Sequence, residues 1–64
     1  MASEGELSFR VEKWDRDGNR IESVIATAAN LFVGRGAYEA ARRAYPKARL
    51  TLRQGIRVIE ETEG

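Results

Sequence analysis

The chain contains neither cysteine nor histidine. Without cysteine there is no disulfide, no thiolate metal ligand and no cysteine nucleophile. Without histidine the usual general base near neutral pH and the commonest zinc ligand are missing. Ser8, Ser23, Thr27 and Thr51 therefore lack a base to activate them, and no two acids have a spacing that implies a shared site. The expectation is a non-enzymatic protein with no cofactor and no metal. Long apolar runs are also missing, and nothing approaches the roughly 20 residues of a membrane helix. The opening MASEGELS has no apolar stretch behind a basic start, unlike a secretory signal. Together these absences predict a soluble, cytoplasmic domain.

What remains is 64 residues, read as one domain spanning 1–64 and ordered over about 6–60. A chain this short buries only roughly 60% of the surface its unfolded form exposes, so its core is thin. The formal net charge of +1 conceals an uneven distribution. Seven basic residues and one acid, Glu39, lie between Arg35 and Arg57, whereas the flanking segments are acidic. Residues 1–5 and 61–64 are short, small or acidic and predict frayed ends.

Leu7 to Trp14 alternates apolar with polar until Lys13, and Arg20 to Thr27 is β-branched but alternates less cleanly. With a Gly-containing connection between them they predict a β-hairpin. A three-residue turn Arg16-Asp17-Gly18 sets Phe9 opposite Ile25 and Val11 opposite Ser23. A four-residue loop instead pairs Trp14 with Ile21. Asn30 is a good helix N-cap, since its side-chain oxygen can accept a first-turn N–H. The single proline, Pro46, closes the helix after Tyr45. On the helical wheel Val33, Gly34, Ala37, Tyr38, Ala41, Ala44 and Tyr45 share the inward side, opposite Arg35, Glu39, Arg42 and Arg43. Residues 49–59 predict two strands around Arg53-Gln54-Gly55, with Gly55 in the left-handed position. That register turns Leu50, Leu52, Ile56 and Val58 inward. The fold class expected is α+β, ββαββ, with one helix packed on one face of a four-stranded, mainly antiparallel sheet.

Two motifs suggest ligand chemistry and fail on inspection. Asp15-Arg16-Asp17-Gly18-Asn19-Arg20 supplies oxygens at positions 1, 3 and 5 of a calcium loop. Position 6 is Arg20 rather than Gly, and position 12 is Ala26, which offers no ligand. Asp, Gly and Asn are equally what a tight turn needs. Gly34-Arg35-Gly36 has part of a dinucleotide fingerprint, but it lies inside the helix and Glu39 replaces the last Gly.

Two features bear on partners. Arg35, Arg42, Arg43, Arg49, Arg53 and Arg57 are candidates for polyanion or nucleic-acid binding, although helix and sheet arginines point to opposite sides. Arg49 and Arg57 are expected on the outer face of the sheet. Trp14, Val24 and Ile59 are expected to point outward too, as a surface for a protein partner or a second copy of the chain. The run Trp14–Asn19, with Asn30-Leu31, Tyr38-Glu39-Ala40-Ala41, Tyr45-Pro46 and Leu50–Ile59, resembles short bacterial single-domain proteins of unknown function. In its order hairpin, helix, hairpin the chain is similar to the small β-grasp domains of immunoglobulin-binding bacterial surface proteins. That resemblance implies an architecture and carries over no binding residues. The function expected is a small interaction module binding a protein, or itself, through its sheet, with polyanion binding as the alternative.

Overall fold

A computed structural model describes residues 8–62. Four strands and one helix follow the order ββαββ: β1 (Phe9–Trp14), β2 (Ile21–Ala28), α1 (Leu31–Ala44), β3 (Arg49–Gln54) and β4 (Arg57–Glu61). The sheet order is β2-β1-β3-β4, and every neighbouring pair is antiparallel. Strands β2 and β3 therefore run the same way, and the β2–α1–β3 connection crosses over β1. The chain is an α+β domain with one helix on one face of a four-stranded sheet. Among the described residues no helix is long and apolar enough to cross a membrane.

The helix begins where Asn30 Oδ1 accepts the Val33 N–H at 2.8 Å, satisfying one of the otherwise orphaned first-turn donors. It ends at Tyr45, whose N–H donates to the Ala41 carbonyl at 2.8 Å, just before Pro46. Arg42 and Arg43 lie in the last turn, where positive charge suits the helix dipole. Val11, Leu50 and Leu52 from the two central strands meet Tyr38 and Ala41 of the helix to form the core. Gly34 allows this close approach. A Cβ there would lie 3.2 Å from Phe9 Cβ and 3.3 Å from Leu52 Cδ1. Gly34, Tyr38 and Ala41 are buried as expected, whereas Val33, Ala44 and Tyr45 are exposed. The inward stripe is narrower than the wheel suggests, because a single layer of three strands supports the helix.

Both hairpins differ in register from the three-residue turns expected. In the first, the Asp15 N–H donates to the Arg20 carbonyl and the Gly18 N–H to the Asp15 carbonyl, each at 3.0 Å. This is the four-residue loop, with Trp14 opposite Ile21. The Asp15 carboxylate accepts the Asn19 N–H at 2.8 Å, so the acidic loop uses its oxygens on its own backbone. Those bonds, the Asn19 N–H first, hold the Asp15 carboxyl below the ordinary carboxylate range. Two bulges in β2 then set Val11 opposite Ala26 and Phe9 opposite Ala28, not Ser23 and Ile25. The bulged Ile25 packs against the core.

The second hairpin turns on two residues, Gly55 and Ile56, with Gln54 opposite Arg57 and Arg53 opposite Val58. Gly55 has φ of +61° in the first turn position, which a type II′ turn requires. Ile56 is consequently 96% exposed rather than opposite Leu52, and Val58 lies on the face away from the helix. A bulge at Ile59 restores the pattern, sending Ile59 into the core and Glu60 opposite Leu52. Ile59 is thus not an outward residue. Arg57 shares the row of Gln54 and Phe9 on the helix side, not the outer one. Of the ends expected to fray, residues 1–5, 63 and 64 lie outside the described residues. Glu61, however, is in β4. Thr62 is held on both sides: its hydroxyl accepts the Leu50 N–H at 2.9 Å, and its own N–H donates to the Leu50 carbonyl at 2.9 Å.

Candidate functional site

Strand alternation decides what the helix does not cover. Phe9, Val11, Leu50 and Leu52 turn toward α1. Arg10, Glu12 and Trp14 of β1, with Arg49, Thr51 and Arg53 of β3, therefore take the opposite face. Across the central pair Arg10 is opposite Arg53, Glu12 opposite Thr51 and Trp14 opposite Arg49. Like charges directly opposite are unfavourable in a sheet, and Glu12, diagonal to Arg53, relieves this pair.

Glu12 is only 1% exposed although no helix lies over it. Its own row and neighbours enclose it. Arg53 grips the carboxylate at two points, Nε to Oε1 at 2.5 Å and Nη2 to Oε2 at 3.0 Å. The Thr51 hydroxyl donates to Oε1 at 3.4 Å and accepts the Trp14 indole N–H at 2.8 Å. The Arg53 guanidinium lies 5.8 Å from the centre of the Trp14 ring, within cation–π range. The hydrogen bonds to Glu12 push the Arg53 guanidinium still higher than an ordinary arginine. The chain Trp14–Thr51–Glu12–Arg53 thus fixes a tryptophan and an arginine in place on an open surface. Val24 and Val58, 49% and 48% exposed, flank it on the outer strands, opposite Glu12 and Arg53 respectively.

Both free edges of the sheet, β2 and β4, are interrupted by bulges. Bulges twist an edge out of register for pairing with another chain.

The six arginines do not gather. Arg35 pairs with Glu60 at 3.6 Å and Arg42 with Glu39 at 3.3 Å. Arg53 is held by Glu12, Arg43 is exposed on α1 and Arg57 opens β4. Arg49 alone joins a cationic cleft of about 500 Å³ at one end of the domain, with Lys13, Arg16, Lys47, Trp14 and Tyr45. There its Nε donates to the Arg16 carbonyl at 3.1 Å. Lys13 Nζ sits 5.9 Å from the Tyr45 ring centre and donates to Glu22 at 2.8 Å, a bond that raises the pKa of the ammonium. Trp14 and Val24 therefore lie where expected, with Arg10 beside Trp14 and Thr51 also outward, whereas Ile59 does not, and Glu12 and Val58 join them unforeseen. The signal for the last group was the period-two pattern itself, Arg10-x-Glu12-x-Trp14 and Arg49-x-Thr51-x-Arg53.

No protein-family model, curated protein or solved structure matches this chain.

Proposed function

We propose that the chain is a non-catalytic interaction module that binds another protein through the helix-free face of its sheet. One observation carries the reading: the Trp14–Thr51–Glu12–Arg53 network, which immobilises two side chains of the kind that dominate binding energy before any partner arrives. Side chains already ordered lose little conformational freedom on binding. Val24 and Val58 add apolar area on either side. The 36 × 23 Å extents of the domain make a whole face comparable with the roughly 800 Å² per partner of a standard interface.

The test is panning of a random peptide library against the immobilised domain, followed by binding to a Val24→Ser/Val58→Ser variant. Both valines are half exposed, so the variant should stay folded. Recovered peptides should lose about tenfold in affinity on the variant and shift amide signals in β1 and β3. Peptides that bind both proteins equally, or that shift only helix signals, would remove this reading.

A second reading is polyanion binding in the end cleft, favoured by four cations around Trp14 and Tyr45. Two acids, Asp15 and Glu22, line the same cleft and oppose it. Titration of a single-stranded oligonucleotide at low salt decides: no shift at Trp14, Tyr45 or Lys47 ends it.

A further inference from the structure

We propose that Arg10 is a carboxylate-recognition subsite, on which an acidic side chain of the bound protein docks. The inference rests on the reading of the open face as a protein-binding surface and names the chemistry of its partner. Two guanidinium groups, Arg10 and Arg53, stand opposite each other with Glu12 as the acid they share. Arg53 takes both oxygens of that acid, and Thr51 adds a further donor to one of them. Arg10 is left with an approach of 3.5 Å between its Nε and Glu12 Oε2. That Nε is buried and makes no hydrogen bond. The Arg10 side chain nevertheless remains 37% exposed.

The cross-strand neighbours are neutral. Thr27 is opposite Arg10 in β2 and exposed, and Val58 is opposite Arg53 in β4. Arg10, Arg49 and Arg53 set against Glu12 and against Glu61, opposite Thr51 in β4, leave one positive charge in excess on a face otherwise lined by Trp14, Thr27, Val24 and Val58. A planar guanidinium matches a carboxylate at two points, and such charge-assisted bonds strengthen away from bulk water. The same excess argues against a second copy of the chain as the occupant, because stacking two such faces would bring the Arg10 and Arg53 charges of both copies together. An aliphatic segment carrying one acid fits the row; a cationic one does not.

The experiment uses the full chain and peptides recovered by panning on it. They should be enriched in Asp or Glu. Changing that acid to its amide in the peptide should weaken binding to the intact domain about tenfold and leave binding to Arg10→Gln unchanged. Arg10→Lys, which keeps the charge and loses the fork, should be intermediate and serves if Arg10→Gln unfolds. Equal loss on both proteins, or recovered peptides without acids, overturns the subsite. If such acid-free peptides still depend on Val24 and Val58, the subsite fails while the interaction module stands. If no peptide depends on the valines, the module reading fails with it. An oligonucleotide that loses binding on Arg10→Gln when peptides do not would make the anion a phosphate and also overturn the proposal.

Discussion

Replacing Glu12 by glutamine tests the central network directly. The substitution keeps the shape and one acceptor oxygen but leaves Arg53 and Arg10 facing each other without an acid between them. Breaking a buried ion pair by removing one partner costs roughly 3–5 kcal/mol. The Arg53 side chain is 19% exposed, so part of its charge reaches water, and the expected loss falls to about 2–3 kcal/mol. A 64-residue domain has roughly 3–10 kcal/mol of stability in all. Glu12→Gln should therefore fold but sit much closer to its transition. Urea unfolding followed by Trp14 fluorescence reports it, because the indole N–H belongs to the network. With a slope of about 1 kcal/mol per molar urea, the midpoint should fall by ~2–3 M. The double variant Glu12→Leu/Arg53→Met should recover most of that loss, since a well-packed apolar pair often equals a buried ionic one. A loss under about 1 kcal/mol for Glu12→Gln, or a double variant whose loss is the sum of the two singles, would refute the shared, desolvated carboxylate.

Three further outcomes follow from the geometry. Gly34→Ala should destabilise by about 1–2 kcal/mol despite better helix propensity, because its Cβ meets Phe9 Cβ, which cannot yield. Gly36→Ala, facing open space, should stabilise by roughly 0.5–1 kcal/mol, and thermal melts that rank the two the other way would contradict the close packing of α1. Ile56→Ser should change stability by no more than about 0.5 kcal/mol, whereas Ile59→Ser should cost ~1–2 kcal/mol, the reverse of a three-residue turn. Burial raises the Tyr38 hydroxyl above its ordinary value of 10.0. Its folded value therefore exceeds the unfolded one, so its contribution is complete below the unfolded value and is lost as pH climbs through the folded one. Tyr38→Phe should remove that loss, and an alkaline unfolding profile identical to wild type would contradict the assignment.

Local chemistry made most of the fold legible. Asn30 and Pro46 bracket the helix, and Gly18 and Gly55, both at positive φ, fix the two turns. The registers were harder because one inserted residue reverses every later side chain. The imperfect alternation of Ile21-Glu22-Ser23-Val24-Ile25 was the trace of two bulges. Val58-Ile59 concealed another, since either residue could face inward. The candidate face was half legible: Trp14 and Val24 lie on it, but a polar residue at an alternate strand position reads as solvated. Nothing near Glu12 in the sequence predicts its burial, because Thr51 and Arg53 are brought to it by pairing between distant strands. The arginines scatter for a related reason: neighbours in sequence are divided between two faces and three acids, Glu12, Glu39 and Glu60.

The placement of β1 between β2 and β3 has a consequence for synthesis. The strand translated first becomes an interior member of the sheet, yet its partner on one flank begins only at Arg49. Until that later segment leaves the ribosome, the nascent hairpin presents an unsatisfied row of amides and carbonyls beside Phe9 and Val11, a surface prone to mispairing. Chaperone capture of nascent chains should therefore decline sharply once β3 has emerged.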